Sequence, residues 1–443
     1  MSAPTGASAQ WLARSLKAVW HPCTQMKAHE TLPLVPIERG EGAWLFDFDG
    51  RRYLDAVSSW WVNLFGHANP RINAAVTDQL GRLEHAMLAG FTHEPVVELS
   101  ERLAALAPPG LGHAFYGSDG ASATEIALKM SFHYWSNRGK PEKRGYLSLE
   151  GGYHGETLGA LGVTDVEIFR DAYAPLIKPA LVAPFPARHH DDHRFGGIKG
   201  AVHAADELAK ILDEHGHEIA AFIVEPLVQG ASGMRFHHPE YLRRARELCT
   251  EHDVLLIADE IMTGFGRTGT LFACEQAGIA PDLMCLSKGI TGGYLPLSCV
   301  LSTDEVYGAF YDDDVARGFL HSHSYSGNPL ACRAACAVLD LIERDGVIAA
   351  NERKAGRFFE MASALAHHPR VRDFRHLGMI WAFEVAGDSP GFGSRAFEIA
   401  LARGVLLRPI GRTVYFMPPY VAGDAEFTLL VDAALEIVER LGR

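Results

Sequence analysis

Between about residues 95 and 300 the chain alternates short, largely apolar runs with segments whose apolar positions recur every three or four residues. The clearest runs are His113–Tyr116, Gly145–Leu149, Ala220–Val224, Val254–Ala258 and Leu283–Leu286. Runs this short with little polar alternation predict strands buried on both faces. Among the intervening segments, Ser122–Trp135 predicts a helix, with Ala123, Ile126, Ala127 and Met130 on one face. The alternation predicts βαβ units and a mostly parallel sheet, hence an α/β fold. Asn328-Pro329 opens a further helix, Asn as N-cap and Pro at the first position, with a stripe of Ala334, Ala335, Val338, Leu341 and Ile342. Up to about residue 65 the pattern is that of a hairpin: Ala43–Phe48, the turn Asp49-Gly50, then Arg51–Leu54. The C-terminal part predicts strands at Gly378–Val385 and Val414–Met417. A last helix follows Asp424, with Phe427, Leu430, Val431, Ala434 and Leu435 on its apolar face.

The 443 residues leave room for two or three domains, and 48% apolar with 21% charged residues is an ordinary globular balance. The net charge is −13 and no basic block of five residues occurs, which argues against nucleic-acid binding. Seven cysteines, an odd number with no C-x-x-C pair, read as reduced thiols of a cytoplasmic protein. No apolar run reaches the roughly 18 residues of a membrane span. The opening MSAPTGASAQ is small and polar, lacks a signal-peptide core and reads as a frayed end.

Two polar residues change this picture. Asp259 ends the run Val254–Ala258, and Lys288 lies just past Leu283–Leu286. In an open α/β sheet, ligands bind at such carboxyl ends. A lysine and a carboxylate there, with a glycine-rich turn upstream, point to pyridoxal phosphate: the lysine attaches covalently and the carboxylate keeps the pyridine nitrogen protonated. A lysine after a strand is by itself a solvated loop charge, so the reading rests on its company. Tyr116-Gly117-Ser118-Asp119-Gly120-Ala121-Ser122 joins a strand to a helix and suits a phosphate, or is a plain turn with a serine N-cap. Gly264-Phe265-Gly266-Arg267-Thr268-Gly269 matches G-x-G-x-x-G, but no helix opens inside it and no acidic residue follows at about 20 positions, so it reads as a loop presenting Arg267. His189-His190-Asp191-Asp192-His193 and His237-His238 read as solvated loops rather than metal sites. Trp60-Trp61, taken as part of a strand, would face opposite ways, one into a core and one into a pocket. Tyr153, flanked by glycines in Gly151-Gly152-Tyr153-His154-Gly155, could stack on a flat ring or simply pack. Arg408, in the apolar Val405-Leu406-Leu407-Arg408-Pro409, calls for a carboxylate, from a ligand or from a structural salt bridge.

Together these residues resemble the class III, fold-type I aminotransferases that use pyridoxal phosphate. IADEIMTGFGRTG and LSKGITGG are similar to that class's aspartate and lysine motifs, and the likeness runs over nearly the whole chain. Further segments resemble the branch that aminates 8-amino-7-oxononanoate with S-adenosylmethionine in biotin synthesis. These are Trp20-His21-Pro22 with Thr24-Gln25-Met26, Ser58-Ser59-Trp60-Trp61, Gly90-Phe91-Thr92-His93, and Leu407-Arg408-Pro409 followed by Tyr415-Phe416-Met417-Pro418-Pro419.

The well-marked helix start at Asn328, directly after the last sheet motif, places a domain boundary there, giving a large mostly parallel-sheet domain at 66–327. The boundary leaves a small α/β domain made from 328–443, with 1–65 contributing to it and to the active site. By the same resemblance Lys288 is the covalent anchor and proton carrier, Asp259 pairs with the pyridine nitrogen, and Tyr153 stacks on the ring. Gly120 and Ala121 give backbone donors to the phosphate. Ser324 reaches the phosphate of the partner subunit in a homodimer with shared sites. Trp60, Ser322 and Arg408 bind substrate with Tyr153 and Lys288, Arg408 on the oxononanoate carboxylate. Three positions depart from the pattern. Cys23 stands where an aromatic is usual. Ala121 replaces a hydroxyl residue, which Ser122 can supply. Ser324 replaces threonine. Rival readings are a pyruvate-accepting ω-aminotransferase of the same class, the same acceptor with lysine as donor, and a non-enzymatic scaffold.

Overall fold

In the structure, a computed structural model, residues 6–186 and 197–442 are described; His189–His193 lie outside them. The chain forms two compact units, residues 71–352 and residues 1–70 with 353–443. The expected boundary at 327/328 therefore falls inside the larger unit. Helix Pro329–Arg344 packs there against helix Glu94–Leu106 and the turn that follows Lys288. Its buried stripe of small residues, Ala331, Ala334 and Ala335 among them, allows the close approach.

The larger unit is built on a seven-stranded sheet. Its strands are β1 (His113–Gly117), β2 (Gly145–Leu149), β3 (Leu181–Ala183), β4 (Ile219–Val224), β5 (Leu255–Asp259), β6 (Leu283–Leu286) and β7 (Ser298–Ser302). The order is β1-β7-β6-β5-β4-β2-β3. Only β7 runs against its neighbours, β1 and β6; the rest are parallel, as expected. β4 and β5 are buried along their whole length, which is why they read as unbroken apolar runs. Two strands have weak signatures: β7 is bounded by serines, leaving only Cys299–Leu301 apolar, and β3 spans three residues. His237, expected in a solvated loop, is fully buried; its Nε2 lies 3.1 Å from the Glu225 carbonyl, and burial pushes it down to about 4, so it is neutral at physiological pH. His238 caps helix Pro239–Glu251, its Nδ1 accepting from Glu240 N.

In the smaller unit the expected hairpin forms, with Trp44–Asp47 antiparallel to Arg52–Asp55. Asp47 accepts from the backbone N–H groups of Asp49 and Arg51, and Gly50 takes the left-handed conformation the turn needs (φ 79°). Of the opening segment expected to fray, residues 1–5 lie outside the described residues, and residues 7–10 instead belong to helix Ala7–Ala18, where Trp11 stacks on Phe48 at 5.2 Å. Strands Val371–Leu377, Ile380–Val385 and Thr413–Phe416 form a second sheet. The last helix, Asp424–Leu441, buries Phe427, Leu430, Val431 and Ala434.

Candidate active site

Five parallel strands of the larger unit send their carboxyl ends to the residues of interest. Asp259 is the last residue of β5, Glu225 follows β4, and the Gly151–Gly155 loop follows β2. Ser118 and Asp119 follow β1, and Lys288 lies two residues past β6, next to β5. Asp259 is buried and held at both oxygens: His154 Nδ1 lies 2.7 Å from Oδ2, and Ile261 N–H donates to Oδ1 at 3.1 Å. His154 is pinned through its own backbone, its N–H donating to Thr164 Oγ1 and its carbonyl accepting from Thr124 Oγ1. Its Nε2 is buried with no hydrogen-bond partner among the described residues.

Glu225 is buried too. It accepts from Tyr153 N–H and Gly230 N–H, and burial raises it to about 7, with the charge of Asp259 adding and His154 opposing. Burial lowers Lys288 from the usual lysine range, while Asp259 and Glu225 oppose the shift. Lys288 also sits in a left-handed conformation (φ 45°), a strain of about 1–3 kcal/mol of the kind found at functional sites. The sequence pattern that singled out Asp259, a polar residue closing an apolar run, marks Glu225 equally well; sequence analysis missed it and missed His154 as the holder of Asp259.

The phosphate turn is capped by Asp119, not by a serine: its Oδ1 accepts from Ser122 N–H at 2.9 Å. Helix Gly120–Asn137 begins two residues before the expected start. The N–H groups of Gly120 and Ala121 lie in its first turn, where no intrahelical carbonyl can take them. A Cβ on Gly155 (φ 119°) would come within 2.6 Å of Ala121 Cβ, so the Gly151–Gly155 loop packs directly on this turn. That contact accounts for a small residue at 121. Tyr153 is partly buried; its hydroxyl donates to Glu156 and its ring lies 5.2 Å from Phe169. Ser322 and Ser324 are exposed on the segment where His323 Nδ1 meets Ser118 Oγ at 3.0 Å. Arg267 is buried, not presented at a surface, and left-handed φ values of 95° and 103° at Gly266 and Gly269 explain two of its loop's glycines without a nucleotide. A buried carboxylate fixed for a cationic ring nitrogen, a helix N-terminus for a phosphate and a desolvated lysine together fit pyridoxal phosphate. Among the described residues no group of three His, Cys, Asp or Glu could hold a metal.

Trp60 and Arg408 belong to the smaller unit. Ser58–Trp61 is not a strand: all four residues are left-handed, with φ of 51°, 47°, 72° and 72°. Each costs about 1–2 kcal/mol for an L-residue. The tryptophans still divide as expected, by this turn rather than by strand alternation. Trp61 is 5% exposed, its Nε1 donating to Tyr415 Oη, whereas Trp60 is 42% exposed. The Arg408 guanidinium lies 4.6 Å over the Trp60 ring and donates to the Cys23 carbonyl at 3.2 Å. No carboxylate among the described residues lies within salt-bridge distance of Arg408, so the structural ion pair weighed from sequence does not form. Because Cys23 contributes its carbonyl, this contact does not need the aromatic usual at that position.

A family profile described as Aminotransferase class-III matches residues 25–438. The chain is 44% identical to the adenosylmethionine-8-amino-7-oxononanoate aminotransferase of Helicobacter pylori, over 97% of this chain and 98% of that protein. It is 41% identical to the protein of the same name from Geobacter sulfurreducens, over 94% of each. The crystal structure of the Methanocaldococcus jannaschii adenosylmethionine-8-amino-7-oxononanoate aminotransferase superposes with a TM-score of 0.91 at 34% identity, covering 98% of this chain and 100% of that one. An omega transaminase from Pseudomonas jessenii, in complex with PMP, gives 0.90 at 28% identity, covering 97% of each.

Proposed function

The chain belongs to the class III aminotransferases, and from that premise we propose that it transfers the amino group of S-adenosylmethionine to 8-amino-7-oxononanoate, giving 7,8-diaminononanoate in biotin biosynthesis. The observation that carries the chemistry is Asp259, buried and fixed by His154, at a strand end next to that of Lys288. When bound, pyridoxal phosphate supplies the electron sink for amino transfer.

The chain's own residues do the rest. Asp259 holds a negative charge where the ring nitrogen would lie, and His154 keeps it oriented. Gly120, Ala121 and Ser122 hold the phosphate, and Tyr153 covers the ring. Desolvation leaves more of the Lys288 amine neutral, the form that can bond to a carbonyl carbon and then take and return a proton. Trp60 and Arg408 bind the acceptor, Arg408 gripping its distal carboxylate with two parallel hydrogen bonds. Ser322 adds a substrate contact, and the exposed Ser324 completes the phosphate site of a partner subunit. The enzyme is on this reading a cytoplasmic homodimer with shared sites. No helix among the described residues is long and apolar enough to cross a membrane.

The test is to follow the cofactor's absorbance in each half-reaction separately. S-adenosylmethionine should convert it and 8-amino-7-oxononanoate should restore it. Conversion by lysine alone would reassign the donor, and restoration by pyruvate but not by the oxononanoate would reassign the acceptor.

A further inference from the structure

The left-handed turn at Ser58–Trp61 needs something to hold it, and the structure shows what does. Asp55 closes strand Arg52–Asp55 and is buried. Its Oδ1 accepts from Ser59 N–H at 2.8 Å, and its Oδ2 accepts from Ser59 Oγ at 2.7 Å. His67 Nε2 lies 3.0 Å from the same Oδ2, while Asn63 Nδ2 donates to His67 Nδ1, so the proton His67 offers Asp55 is on Nε2. His67 is fixed in turn by a backbone bridge to Gly42 and packs so closely on Gly40 that a Cβ there would lie 2.6 Å from its own Cβ. On the other side Ser58 Oγ donates to the Met417 carbonyl. These bonds converge on one stretch of backbone, and the large side chain that stretch leaves exposed is Trp60, beneath Arg408.

We propose that Asp55, supported by His67, is a positioning residue for acceptor recognition: it clamps the Ser58–Trp61 turn left-handed and thereby sets the Trp60 face on which Arg408 rests. The inference rests on the reading of Trp60 and Arg408 as acceptor-binding residues. A carboxylate suits the task because one side chain can accept from a backbone N–H, a hydroxyl and an imidazole together. An asparagine can replace only part of this set and leaves a donor facing donors. Glycine adopts the left-handed region without a clamp.

The experiment uses holoenzyme carrying Asp55→Asn, Ser59→Gly, both together, or Trp60→Leu. Amide exchange across residues 58–62 reads the clamp with no substrate present. Asp55→Asn should lower protection there about tenfold or more, local opening being the process that exchange reports. Stopped-flow measurement of the two half-reactions reads the consequence. Asp55→Asn should weaken acceptor binding about tenfold, the scale of one charge-assisted hydrogen bond, and leave the donor half-reaction much less affected. Adding Ser59→Gly should recover part of the loss, because it removes the left-handed cost at the residue Asp55 clamps, whereas a general loss of stability would not be relieved by a glycine at one turn position.

Unchanged protection in Asp55→Asn overturns the clamp. Equal slowing of both half-reactions, or no rescue by glycine, overturns its link to the acceptor. If Trp60→Leu leaves acceptor binding intact while protection still depends on Asp55, the clamp stands, and what fails is the assignment of Trp60 and with it the acceptor role.

Discussion

In the larger unit, Asp259 and Lys288 owe their places to the ends of neighbouring parallel strands, buried along their length and paired where Ile257–Asp259 meets Leu283–Cys285. In the smaller unit, Trp60 owes its place to four left-handed residues tied down by side-chain hydrogen bonds. The first region is positioned by topology and the second by local strain with a compensating clamp. The difference matches the division of labour proposed above. On that proposal, groups that act in both halves of the exchange stand on the sheet. On the same proposal, Trp60, which distinguishes one substrate, stands exposed on a turn whose other tryptophan, Trp61, is held in the core.

That contrast makes graded predictions. Lys288→Ala should reduce turnover about a thousandfold or more, since both the covalent anchor and the proton carrier go. Borohydride reduction should no longer fix the cofactor to the chain, and label recovered on another lysine would remove Lys288 from the centre of the site. Asp259→Asn should slow both half-reactions by about a hundred- to a thousandfold, roughly 2.7–4 kcal/mol, the scale of one preorganised electrostatic group. Single-turnover rates check this, and an effect confined to one half would break the division between the two regions. Arg408→Ala should lower kcat/KM for the acceptor about ten- to a hundredfold, or about 1.5–3 kcal/mol, and spare the donor step. Arg408→Lys should not restore it, because an ammonium lacks the planar fork.

An effect that leaves the chemistry aside concerns Glu225 and is read as stability. Burial raises its carboxyl to about 7, so the folded chain holds this proton more tightly than the unfolded chain, whose ordinary value is 4.5. That contribution is fully present below the unfolded value and is lost as pH rises through 7, by about 3 kcal/mol at most. Glu225→Gln removes the dependence. The melting temperature of the variant minus that of the parent, measured on apoprotein, should therefore climb between pH 5 and pH 8; a flat difference would mean Glu225 titrates normally.

Much of this was legible in the chain itself, for physical reasons that differ by residue. Asp259 and Lys288 stood out because a charge closing an unbroken apolar run has few explanations. His154 did not, since its job is a contact with Asp259 across 105 residues, and no local pattern reports such a partner. The left-handed turn was misread as strand because Ser-Ser-Trp-Trp contains none of the glycines that usually announce positive φ. The N-terminal helix escaped for a related reason: small polar residues look frayed until Trp11 finds Phe48. The unit boundary was misplaced because a well-capped helix start reads the same whether a domain begins there or continues.

The reversal of β7 against β6 has a consequence for the order in which the site is assembled. Leu286 pairs with Cys299, so the loop carrying Lys288 closes over only about a dozen residues, whereas the contact between His154 and Asp259 must close one of 105. On chain-closure entropy alone the longer loop costs about 2 kcal/mol more. Lys288 and Asp259 are thus brought together by short closures, Asp259 pairing with Cys285 in the adjacent strand, and only the His154 contact that fixes Asp259 needs a distant strand. An amine and a carboxylate already side by side therefore gain their fixed orientation only once β2, whose end carries His154, has joined the sheet.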